Sequence, residues 1–82
     1  MTEIVEDVVK NFEEITGEPV ESVVDTDSMT FNQDMIDETT PALHEYLWEE
    51  YGIDMEAHYD FLEELDNRIM EKVALKVLGM KL

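Results

Sequence analysis

Ile4, Val5, Val8, Val9, Phe12 and Ile15 fall at the i, i+3, i+4 spacing of one apolar stripe, and Glu3, Glu6, Asp7, Lys10, Glu13 and Glu14 cover the opposite face. A repeat of about 3.6 residues puts these side chains along one side of a helix. Thr2 can cap that helix, the acids of its first turn suit the positive end of the macrodipole, and Gly17 supplies a left-handed stop, so a helix is expected over residues 3–16. Nowhere does the chain alternate apolar and polar residues long enough for a strand, and it carries no internal repeat or low-complexity segment. The expected class is all-α.

The remaining elements follow from the same period and its punctuation. Glu18 to Asp27 is a polar stretch containing Pro19, read as a long loop pinned to the core by Val23 and Val24. Thr39-Thr40-Pro41 announces a second helix, with threonine as cap and proline in the first turn, ending at Gly52. Its inward face is Leu43, Tyr46, Leu47 and Tyr51; a start nearer Asp34 would enclose Pro41 and kink the helix. Asp54 can cap a shorter helix to about Glu64 with Met55, Tyr59, Leu62 and Leu65 inward. Asp66 begins a last helix with Ile69, Met70, Val73, Ala74, Val77 and Leu78 inward, closed by Gly79. The sum is a small four-helix bundle, three long helices and one short with a long first loop. At 82 residues it forms a single domain, 1–82. A chain of that size buries about 60–65% of its unfolded surface, enough for one core.

Charge bounds the function. The 22 acids against 5 bases give a net of −17, a field that repels nucleic acid and anionic lipid and favours a basic protein partner. Residues 1–67 hold 21 acids and only Lys10 as a base, whereas 68–82 hold Arg68, Lys72, Lys76 and Lys81 against Glu71. With no cysteine there is no disulfide framework, no thiolate nucleophile and no Cys-ligated zinc. Met1-Thr2-Glu3-Ile4 lacks the basic start and apolar run of a signal peptide, and no apolar stretch approaches a membrane span of about 18 residues. A cytoplasmic monomer is expected, self-repulsion weighing against a homodimer.

The segment Phe31-Asn32-Gln33-Asp34-Met35-Ile36-Asp37-Glu38-Thr39-Thr40 resembles the signature before the second helix of acyl carrier proteins, whose modifiable serine carries phosphopantetheine. The order of elements is also similar: a first helix ending in glycine, a long loop with valine before Phe31, an acidic helix ending Trp48-Glu49-Glu50-Tyr51-Gly52-Ile53-Asp54, a short helix and an apolar one. The resemblance implies an acyl-carrier-like fold, docking of partner enzymes on the acidic second helix, and Thr39 in the place of the serine. The chain departs from the pattern with Ile36 for glycine, Glu38 for aspartate and Thr39 for serine. A β-branched hydroxyl is more hindered, and the plain alternative is that Thr39 or Thr40 caps a helix. Asp27-Ser28-Met29 also resembles the family's Asp-Ser-Leu triplet but lies too far upstream of Tyr51, so Ser28 is read as a turn or cap residue.

Other chemistries fit less well. A calcium loop starting at Asp25 would place Met29 and Ile36 at ligand positions and Thr30 at the glycine site. His44 and His58 have no metal-ligand spacing and are read as surface or rim residues, so neither a metal site nor a catalytic group is assigned. Trp48 is read as a core ring, with an exposed interface anchor as the alternative. Met29, Met35, Met55, Met70 and Met80 are packing filler or an adaptable partner surface. The expected function is a non-catalytic acidic interaction module presenting Asp37, Glu38, Glu45, Glu49 and Glu50 to a basic surface of a partner protein. Two alternatives stand beside it. One is a small inhibitor of the immunity, anti-restriction or anti-CRISPR type whose acids imitate nucleic-acid phosphates. The other is a true carrier with phosphopantetheine on Thr39.

Overall fold

The computed structural model describes residues 2–25 and 27–81; Met1, Thr26 and Leu82 lie outside the described residues, as do the side chains of Met80 and Lys81. Helices α1 (Thr2–Lys10) and α2 (Phe12–Thr16) occupy the span expected for one helix. Asn11 divides them with φ −102° and ψ 15°, and its side-chain amide donates to both the backbone carbonyl (3.1 Å) and Oδ1 (2.9 Å) of Asp7. A short polar side chain that competes for the backbone in this way loosens a helix at that turn. Thr2 is the first residue of α1 rather than a residue flanking it. Gly17, with φ 76°, ends α2 and donates to the Glu13 carbonyl at 2.8 Å.

The loop is pinned as its valines suggest. A 3₁₀ turn, Val20–Val23, leads into β1 (Val24–Asp25), which pairs antiparallel with β2 (Thr30–Phe31) in the register Val24 to Phe31 and Asp25 to Thr30. This small ladder was not expected, because two residues are too few to show alternation. Its turn is held by Asp25 Oδ1, which accepts from the Asp27 and Ser28 amides at 3.0 and 3.4 Å. Met29 takes the left-handed conformation, φ 58°. Ser28 is a turn residue, its hydroxyl 2.7 Å from that of Thr30.

Helix α3 (Gln33–Tyr51) corrects the expected start at Thr39. Asn32 caps it, its side chain accepting from the Met35 amide at 3.4 Å, and Pro41 lies inside. Proline removes the bond to the Asp37 carbonyl. One turn earlier, Thr39 Oγ1 donates to the Met35 carbonyl (2.8 Å) and Thr40 Oγ1 to the Ile36 carbonyl (2.6 Å), so neither threonine is a cap. Gly52, φ 67°, terminates α3 by donating to the Trp48 carbonyl.

The two helices expected after Gly52 are one, α4 (Tyr59–Lys81). Asp54 organises the turn before it: its carboxylate accepts from the Glu56 amide at 2.8 Å and its carbonyl from the His58 amide at 2.8 Å. No glycine or proline separates Tyr59 from Asp66, so nothing breaks the backbone, and Asp66 pairs across to α3 instead of capping. Gly79 does not close α4 either.

The described residues are thus predominantly helical, with α1 packed on α4 and α2 on α3. Phe12, Val8, Val23, Leu43, Leu47, Leu65, Ile69, Val73 and Val77 are sealed from water at the centre. Of the expected inward residues, Tyr51, Met55 and Tyr59 stand exposed. No described helix is long and apolar enough to cross a membrane.

Candidate docking surface

Helix α3 buries one stripe and displays its opposite. Thr39, Leu43 and Leu47, at i, i+4 and i+8, face the core. Helical spacing then sends Asp34, Glu38, Pro41, Glu45 and Trp48 to the far side, flanked by Asp37 and Glu49, and all seven are exposed. Asp37, Glu38, Glu45 and Glu49, four of the five residues expected to meet a partner, therefore share one face. The fifth does not. Glu50 is exposed but turns toward α2, bordering a depression with Asn11, Glu14, Ile15 and Tyr46.

One lysine or arginine ion pair occurs among the described residues, Arg68 with Glu64 at 3.0 Å, and His44 Nε2 lies in hydrogen-bond contact with Asp66 Oδ2 at 2.8 Å. None of the four α3 carboxylates takes part. Gln33 donates to Asp37 at 3.0 Å, a neutral contact that leaves its charge in place. Like charges at i, i+4 such as Glu45 and Glu49 repel by a few tenths of a kcal/mol each. A cation brought against this face would relieve that repulsion.

Two polar clusters fix α3 in the molecule. Asp7 of α1 accepts from the hydroxyls of Tyr46 and Tyr51, each at 2.6 Å, and the two rings meet edge to face at 6.3 Å. The Tyr46 bond foremost, then the Tyr51 bond, hold the Asp7 carboxyl below its ordinary range. In return the carboxylate pushes the Tyr46 hydroxyl up to about 12 and raises that of Tyr51. On the other side His44 Nε2 meets Asp66 Oδ2, so α3 is tied to α4 as well. His58 is exposed and its Nδ1 accepts from the Asp54 amide at 3.1 Å.

Trp48 is not a core ring: it is 56% exposed. The sequence held the signal, since helical spacing groups Trp48 with Glu45 and Pro41 rather than with Leu43 and Leu47. The tyrosine clamp and the His44–Asp66 pair had no such signal, because their members lie far apart along the chain.

Thr39 does not suit phosphopantetheine. It lies in the second turn of α3 rather than at its start, is 2% exposed, and has its hydroxyl committed to the Met35 and Ile36 carbonyls. No group of three or more potential metal ligands occurs among the described residues. The chain matches no family model, no curated protein and no solved structure.

Proposed function

We infer that this chain is a non-catalytic interaction module that docks, through the outward face of α3, on a basic surface of a partner protein. The observation that carries this reading is the row Asp37, Glu38, Glu45 and Glu49, exposed on one face and without an ion pair among the described residues, beside the exposed Trp48. Opposite charge of this density speeds encounter and makes the complex sensitive to salt, while the aromatic ring offers area to bury. A net of −17 suits a monomer that finds a basic partner rather than itself.

The order of helix, long loop, acidic helix and apolar helix is in keeping with an acyl-carrier-like arrangement, whereas the continuity of α4 in place of a short helix and a long one is not. The burial of Thr39 is not in keeping with a working carrier. A second reading draws on the same carboxylate row: a small inhibitor whose acids occupy the phosphate path of a nucleic-acid-binding protein. Under that reading an oligonucleotide displaces the chain from its target.

The test is retention of partners from the native host on wild-type protein and on a variant with Asp37, Glu38, Glu45 and Glu49 all changed to Lys. Helical circular dichroism verifies folding. The expected result is a basic protein held at low salt, released as salt rises, and not held by the variant. Undiminished binding by the folded variant removes the reading.

A further inference from the structure

Trp48, Met55 and Tyr59 come from the end of α3, the turn after it and the start of α4, and stand 56%, 51% and 62% exposed. They border two adjoining depressions of about 300 and about 250 Å³ that share His44, Met55 and Leu62 in their linings. Buried Ile53 and Leu62 line this groove, so it is apolar at depth. Glu45 and Asp54 border one depression and Glu63 and Asp66 the other, with the His44 imidazole, bonded to Asp66, on the wall between them. No lysine or arginine occurs anywhere between Lys10 and Arg68, the stretch that supplies every lining residue.

That pattern selects an occupant. Exposed tryptophan and tyrosine bury much area for little loss of conformational freedom, methionine adapts its shape to what it meets, and all three are residue types enriched at interfaces. An apolar centre inside a rim that carries four carboxylates and no lysine or arginine excludes anionic lipid and nucleic acid, which the rim repels. It also disfavours a symmetric pairing of two copies through this groove, which would set acid against acid. A segment with a bulky apolar side chain flanked by lysine or arginine meets both requirements. The apolar group covers Ile53 and Leu62, while a flanking cation lies over the Trp48 indole beside Glu45.

We propose that the groove bounded by Trp48, Met55 and Tyr59 is the anchor site for a basic amphipathic segment of the partner protein. This rests on the reading of the chain as an acidic docking module and adds the place and the pattern that the module recognises.

Trp48 is the single tryptophan, so its emission reports occupancy directly. The probes are two synthetic Lys/Arg peptides of equal charge, one with a central Leu-Phe pair and one with Ala-Ala in its place. The expected result is a blue shift with the Leu-Phe peptide and binding about tenfold tighter than for Ala-Ala, the size of a modest interface anchor. Met55→Ala and Tyr59→Ala, at exposed positions that leave the fold intact, should erase most of that preference in a titration of dye-labelled peptide. Equal binding of the two peptides overturns the groove while leaving charge docking intact. Failure of both peptides to bind at low salt overturns the groove and the docking module together. A blue shift on concentrating the protein alone, with a dimer mass in light scattering, makes a second copy the occupant and likewise overturns the proposal.

Discussion

The Tyr46 hydroxyl donates to Oδ2 of Asp7 at 2.6 Å, joining α3 to α1 across 39 positions of sequence. A short O–H···O⁻ bond to an ionised acceptor is about twice as strong as a neutral one, and Tyr51 adds a second to the same oxygen. In a chain crowded with carboxylates this is one acid whose charge is engaged within the fold. It also ties α3 to α1 in the rotation that the buried stripe of Thr39, Leu43 and Leu47 sets.

Asp7→Ala should therefore destabilise the protein although the site is only partly buried. With solvent screening allowed for, the loss should be about 1–2 kcal/mol, measured as a lower urea midpoint at unchanged slope. An unchanged midpoint would mean that the tyrosine bonds contribute nothing net.

The same cluster sets a pH window with two ends. The Asp7 pKa is lower folded than its ordinary 3.8, so its contribution is present above that value and fades as pH falls through the folded pKa. Tyr46 is raised from 10.0 to about 12, which favours its neutral form in the native state. Its contribution is complete below pH 10 and lost as pH climbs to about 12. The stability gap between wild type and Tyr46→Phe, followed by denaturation from neutral to alkaline pH, should narrow over that interval. A constant gap would rule out the coupling.

Pro41 interrupts the backbone bonding of α3 from its exposed side. Pro41→Ala restores an amide for the Asp37 carbonyl without touching the core, and should stabilise by about 1–3 kcal/mol. Thermal unfolding gives the answer: a melting point equal to or below that of wild type contradicts this account of the turn.

Neighbouring positions on α3 should respond oppositely to truncation. Leu47 is fully buried, so Leu47→Ala should cost about 2–5 kcal/mol. Trp48 is exposed, and Trp48→Ala should stay within about 0.5 kcal/mol of wild type. A large loss from the tryptophan variant in equilibrium unfolding would put that ring in the core.

Incubation with a phosphopantetheinyl transferase and coenzyme A should leave the mass of the protein unchanged, because the Thr39 oxygen is enclosed by its own helix. A gain of one phosphopantetheine in the mass spectrum would restore the carrier reading.

Much of the interior was legible beforehand. Val8, Phe12, Leu43, Leu47, Leu65, Ile69, Val73 and Val77 were expected inward and are buried, as are the loop anchors Val23 and Val24. These residues announce themselves because apolar burial must repeat with the helical period. Element boundaries were less legible. Thr39-Thr40-Pro41 carries every local sign of a helix start, yet the helix begins at Gln33 and proline is accommodated on its outer face. Asp66 looks like a cap and instead faces His44. In each case a local preference of about 1 kcal/mol for a cap yielded to the continuous packing of a longer helix.

By itself the sequence determined the helical class, the apolar stripes and the acidic field, since backbone propensity, periodicity and net charge are properties of neighbours and of sums. Tertiary structure alone decided that Asp7 would meet Tyr46 and Tyr51, that His44 would meet Asp66, and that Trp48, Met55 and Tyr59 would border one groove. Those meetings depend on the relative rotation and offset of packed helices, which are set by how the buried side chains interlock and leave no mark on the order of residues.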